Sequence, residues 1–208
     1  MILSDADRAR IVEAIRLAET RTSGEIYCVL TQASSGYRVF PIAWAAALAL
    51  LVPLPLIYLT AWPAVAIYAL QLLTFLGSLY LLSRDVVRYQ IVPRENKIAR
   101  AHQEALRQFA AHGLQNTDLR TGVLIFVSVA ERYAEVLADT GIAAKVDSTL
   151  WDEIVAGLTS KIATGRAADG FVATIDACAT HLAKHFPPGA INRNELPNAI
   201  VELSPLSG

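Results

Sequence analysis

Gly122-Val123-Leu124-Ile125-Phe126-Val127-Ser128-Val129 is a nearly continuous apolar run rich in β-branched residues. Such residues favour extended backbone. A strand that lacks polar alternation is usually buried on both faces, so this run predicts an inner strand of a sheet covered on two sides. Ala130-Glu131-Arg132 reads as a short turn, and Tyr133-Ala134-Glu135-Val136-Leu137-Ala138 as a second strand, its hairpin partner. Further on, Thr149-Leu150-Trp151-Asp152 has the pattern of a capping box ahead of Ile154, Val155, Leu158 and Ile162. Gly165 breaks that helix. A last helix runs from about 168 to 186 and stops at Pro187-Pro188. Residues 188–208 read as a C-terminal tail in which 199–203 form a short strand.

Upstream of the strand pair, Pro93 opens a helix whose apolar stripe is Ile98, Ala105, Leu106 and Phe109, ended by His112-Gly113. At the start of the chain, Ser4-Asp5-Ala6-Asp7 caps a helix with Ile11, Ile15 and Ala18 at helical spacing. Glu25-Ile26-Tyr27-Cys28-Val29-Leu30-Thr31 reads as a strand. The fold class is therefore α/β: a small β-sheet sandwiched by helices, in two parts, 1–33 and 93–187.

Between these parts the charge disappears. The 208 residues carry 18 Lys and Arg and 19 Asp and Glu, yet none falls between Val39 and Ser83. A helix crossing the hydrocarbon core needs about 20 apolar residues. Region 39–83 therefore reads as a transmembrane helical hairpin with spans at about 39–59 and 63–83. Pro63 marks the turn, Tyr58 and Trp62 suit the headgroup level, and Pro53 and Pro55 kink the first span. Arg21 and Arg38 precede the hairpin, and Arg84, Arg88, Arg94, Lys97 and Arg100 follow it. By the positive-inside rule the flanks face the cytoplasm. Met-Ile-Leu-Ser-Asp lacks the basic-then-apolar start of a cleaved signal peptide. The expectation from these residues is an integral membrane protein with a cytoplasmic globular domain. Its net charge of -1 gives no drive toward nucleic acid.

No G-x-S-x-G, P-loop or G-x-G-x-x-G is present, so hydrolase, NTPase and dinucleotide readings have no support. Cys28 and Cys178 read as small buried hydrophobes. His181 and His185 share a helix face but lack an H-E-x-x-H pattern, and read as a polar helix end. Carboxylates at the sheet ends are the remaining candidates: Asp118 before the first strand of the pair, Asp139 after the second, Asp147 and Asp152 at the next helix, Asp169 in a turn. Loop carboxylates can gather around Ca²⁺, while acidic residues are also ordinary at helix starts.

Two stretches resemble the TPM domain family. Thr22-Ser23-Gly24-Glu25-Ile26 is similar to its T-G-A-E-I. Thr121-Gly122-Val123-Leu124-Ile125-Phe126-Val127, then Glu131-Arg132, then Asp139-Thr140-Gly141-Ile142 are similar to its G-V-L-L-L-V, D-R and G-Y-G-L run. The resemblance implies a small sheet between helices. It also implies roles in assembly or repair of membrane complexes, divalent-metal binding, or acid phosphatase activity. It places Asp139, Asp147 and Asp169 near the corresponding metal-site loops, with Ca or Mg as the cation. The family often has D-N-G before its central strand, where this chain has Arg120-Thr121-Gly122. A guanidinium there replaces a candidate ligand and repels a cation. The reading that follows is a membrane-anchored, non-catalytic interaction, assembly or stability factor, with the lipid bilayer and a membrane protein as partners. The alternative is a metal-dependent acid phosphatase or a Ca-binding domain.

Overall fold

The computed structural model describes residues 3–146, 148–188 and 194–203. In chain order the elements are α1 (Asp5–Glu19), β1 (Glu25–Thr31), α2 (Val39–Leu51), α3 (Pro53–Leu59), α4 (Ala64–Leu82), α5 (Asp85–Ile91), α6 (Arg94–Ala111), β2 (Gly122–Ser128), β3 (Tyr133–Ala138), α7 (Thr140–Ala143), α8 (Ser148–Ala163), α9 (Ala167–His185) and β4 (Ile200–Leu203). A 3-10 turn, Leu114–Asn116, precedes β2. The chain divides into two units, one made of residues through Ser34 and from Ile98 onward, the other of Ser35–Lys97.

The first unit is a four-stranded sheet in the order β3-β2-β1-β4. β1 is parallel to β2, from Glu25 opposite Gly122 to Thr31 opposite Ser128, and parallel to β4 on its other side. β2 and β3 form the expected antiparallel hairpin. Successive side chains on a strand point to opposite faces, and this divides the core in two. Ile26, Cys28, Leu30, Val123, Ile125 and Val127 pack with Ile11 and Ile15 of α1, Leu158 of α8, and Phe171 and Ile175 of α9. Tyr27, Val29, Leu124 and Phe126 pack on the other face with Ala101 and Ala105 of α6 and with Leu114. β1 and β2 are buried at every position, which is why their apolar runs do not alternate. Full burial of each such side chain contributes about 1.5–3 kcal/mol.

Local signals set the boundaries. Ser4 caps α1: Asp7 N–H donates to Ser4 Oγ at 3.1 Å, and Ser4 N–H returns to Asp7 Oδ2 at 3.4 Å. α6 ends where Gly113 takes a left-handed φ of 69°, a conformation costly for side chains with a Cβ. Two expectations need correction. α8 begins at Ser148, so Thr149 stands inside its first turn and does not precede the helix. On α6 the buried positions are Ala101, Glu104, Ala105 and Gln108, while Ile98 and Leu106 are 42% and 48% exposed. The helix turns a polar pair inward because the pair is satisfied locally. Glu104 accepts from Arg107 Nε and Nη2 at 2.8 and 2.7 Å and from Gln108 Nε2 at 2.7 Å, so its burial leaves no uncompensated charge.

The second unit holds two helical stretches, Val39–Leu59 and Ala64–Leu82, that are long and apolar enough to cross a membrane by length and composition. Their mean hydropathies are 2.2 and 1.9, and 11% and 0% of their most apolar windows are buried. The first stretch is interrupted at Val52, just before Pro53 and Pro55. These prolines withdraw two backbone donors from the helical ladder. α2 packs against α4, and its buried residues are Pro41, Ala45 and Ala49. After a turn in which Thr60 Oγ1 donates to Leu56 O at 2.7 Å, Pro63 takes the N-cap position and α4 begins at Ala64. α5, which had no counterpart in the sequence reading, follows α4.

Candidate functional site around Asp139

The N-terminal ends of β1 and β2 meet the loop 117–121, and this loop is tightly determined. Arg120 N–H donates to Thr117 O at 3.0 Å, Thr121 N–H to Thr117 Oγ1 at 3.0 Å, and Thr121 Oγ1 to Ser23 O at 3.0 Å. Arg120 itself has a left-handed φ of 55°. Two glycines let the backbones approach. A Cβ on Gly122 would lie 2.3 Å from Leu114 O, and one on Gly141 would lie 2.6 Å from Arg120 O. Neither contact is sterically possible, so both positions require glycine.

Asp139 closes this corner. Its N–H donates to Gly122 O at 2.9 Å, and it caps α7 by accepting from Thr140 N–H at 2.7 Å through Oδ1. The side chain is 5% exposed, and among the described residues Oδ2 has no hydrogen-bond partner. Facing Oδ2 at 3.9 Å is Nη1 of Arg120, a side chain that is 58% exposed. At that separation the bare attraction is about 4 kcal/mol at an effective dielectric of ~20. Solvent around the exposed guanidinium reduces this toward the ~1 kcal/mol of exposed pairs.

The other carboxylates have different partners. Asp169 lies in the first turn of α9 and accepts from Arg10 Nη2 at 2.7 Å, which holds its carboxyl below the usual range. It lines a groove between α1 and α9 with Arg21 and Asp176. Asp147 lies outside the described residues. Asp118 offers its backbone, not its carboxylate: its N–H donates to Glu195 Oε2 at 3.0 Å. Asp152 is exposed on α8. Among the described residues no three His, Cys, Asp or Glu side chains come together as a metal-holding group. Cys28 and Cys178 are both buried and free, and burial pushes the Cys178 thiol up to about 12.

Three polar clusters were not anticipated from the sequence. Glu25 accepts from the backbone N–H groups of Glu195 and Leu196, each at 3.2 Å, and so fastens the tail beside the start of β1. Nearby Glu19 accepts from Ile26 N–H at 3.2 Å, and burial pushes its carboxyl up to about 7. Glu131 accepts from Ser34 N–H at 2.9 Å and from the Ser128 hydroxyl, at the opposite end of β1 and β2. His102 is also paired: both oxygens of Glu135 lie 3.0 Å from its Nδ1, and Tyr133 Oη donates to the same carboxylate at 2.9 Å. The only sequence signal for these was an acidic residue in or beside an apolar strand.

The family model of the TPM domain matches residues 87–181, a stretch that holds α6, the β2–β3 hairpin, α7, α8 and the Asp139 corner. That stretch, a little under half of the chain, is similar to the TPM domain family. A solved structure agrees on the architecture: the NMR structure of the BA42 protein from the psychrophilic bacterium Bizionia argentinensis has a TM-score of 0.60 and 23% sequence identity. The alignment covers 97% of this chain and 95% of that one. At this identity the likeness speaks for the fold. No curated protein matches the chain.

Proposed function

We propose that this TPM-domain protein is anchored in a bacterial inner membrane by its α2–α4 hairpin and serves as a non-catalytic interaction factor. On this reading its globular domain faces the cytoplasm and assists the assembly or stability of a membrane protein complex. The observation that carries the reading is the apolar surface of the hairpin. Leu51, Leu59, Val65, Leu73 and Leu81 are each more than half exposed on helices that carry no charge from Val39 to Ser83. An exposed apolar surface of this extent marks a membrane or protein interface.

The flank after α4 has the composition of a headgroup zone. Arg84 stacks over Tyr80 at 4.9 Å, Arg88 over Tyr89 at 5.2 Å, and Tyr37 meets Tyr89 edge-on at 5.9 Å. The excess of Arg and Lys beside the hairpin supports a cytoplasmic domain. Support for an interaction role comes from Gly77 on α4. A Cβ built there meets nothing within 4 Å, so this small residue is not used in packing α2 on α4 and leaves room for another helix. The Asp139 carboxylate, set against Arg120, also favours a structural corner over a reacting centre.

A photo-crosslinking side chain placed at exposed Leu73, one helical turn before Gly77, tests the proposal in native membranes. The expected result is a discrete adduct with another membrane protein, reduced by Gly77→Leu. Recovery of the protein only alone, from membranes in which it is intact, would count against an interaction role.

A further inference from the structure

We infer that the Arg120 guanidinium is the built-in cation of the Asp139 corner, standing in this chain where the family resemblance implies a divalent metal ion. Ca²⁺ takes six to eight oxygens, several of them from carboxylates. Among the described residues the corner offers one buried carboxylate, Asp139, and one of its oxygens already caps α7 through Thr140 N–H. The free oxygen, Oδ2, has Nη1 of Arg120 3.9 Å away as its facing charge. Asp169 is committed to Arg10. The residues described at this corner do not fit a divalent ion, and a cation brought to Oδ2 would meet the guanidinium.

The backbone holds Arg120 where this substitution requires it. Its left-handed φ of 55°, its N–H bond to Thr117 O and the close approach of its carbonyl to Gly141 fix the Cα–Cβ direction. A left-handed backbone is uncommon for a residue with a Cβ, so the loop keeps the side chain beside Asp139 at some conformational cost. The charge balance follows: one carboxylate and one guanidinium neutralise each other without an added ion. Where the family often has an acidic residue opening its D-N-G triplet, this chain has the opposite charge.

The inference is independent of the membrane reading, and its test uses the full-length chain in detergent micelles. Thermal unfolding is followed with and without CaCl₂ at matched ionic strength for wild type, R120D and R120D/D139N. The expected result is no calcium-dependent rise for wild type. R120D should gain a rise of about 5 °C at free Ca²⁺ roughly a hundred times its Kd, and the double variant should lose it. If R120D does not fold, R120N takes its place, with a smaller gain that still depends on Asp139. A calcium-dependent rise in the wild type that D139N abolishes would overturn the inference. So would folded variants at position 120 that gain no calcium response, because Arg120 would then not be what stands in for the ion.

Discussion

Glu19 shows what a single residue contributes. Its carboxylate is buried near Glu25 and Ile26, and burial is the main cause that lifts its pKa from about 4.5 to about 7. The charged form is thus disfavoured in the folded state. Between these two values the folded chain binds more protons than the unfolded one, so this group's contribution to stability declines as pH rises through that window. The full penalty, about 3 kcal/mol, is present above pH ~7 and absent below pH ~4.5. Glu19→Gln keeps an oxygen for Ile26 N–H and removes the charge. It should raise the unfolding midpoint at pH 8 and leave it nearly unchanged at pH 4.5. Equal shifts at both pH values would show that the carboxylate is not ionised against such a penalty. Glu25 has a raised pKa for the same reason, so its contribution declines in the same direction, while His112, held below its usual value by burial, opposes it.

At the scale of elements, the register of β1 and β2 depends on Gly122, whose missing side chain admits Leu114 O. Gly122→Ala forces the 3-10 turn and the strand apart, and should cost about 1–3 kcal/mol by the usual penalty for overpacking. Denaturant unfolding of the variant checks this, and a loss under ~0.5 kcal/mol would show that the turn relaxes freely. Gly77→Ala, in open space, should leave the midpoint unchanged under the same assay.

These elements differ in how legible they are. β1 and β2 announce themselves because both of their faces are apolar, and their hairpin and caps follow from local chemistry. The buried face of α6 does not, because Glu104 and Gln108 look like surface residues until Arg107 is seen to satisfy them. The capping motif near Thr149 misled by a residue, as helix starts often do. Glu25 was illegible as a tail anchor because its partners lie 170 and 171 residues away in the chain. The Asp139 corner was half legible. The charge reversal at Arg120 stands in the sequence, but the 3.9 Å approach to Asp139 depends on a left-handed backbone that no local pattern foretells.

At the scale of the molecule, a helical hairpin is inserted between the first strand of a TPM-like sheet and the rest of its domain. The domain must therefore assemble from two pieces separated by the membrane-competent segment, Met1–Ser34 and Ile98–Leu206. Central β1 comes from the first piece, and both of its neighbours come from the second. A truncated chain ending before α6 should accordingly lack the sheet. Limited proteolysis of such a fragment should give rapid cleavage within β1, whereas protection there would show that the first piece holds its structure alone.

On the proposed reading the hairpin anchors this domain in a bilayer. The most direct measurement is the partition of the full-length chain, expressed in bacteria, between membrane pellet and supernatant after an alkaline carbonate wash. Beside it runs a variant in which residues 39–83 are replaced by a Gly/Ser linker. The full chain should stay in the pellet, and the linker variant, still folded, should be released. A full-length chain that is washed off the membrane, folded and monodisperse, would contradict it.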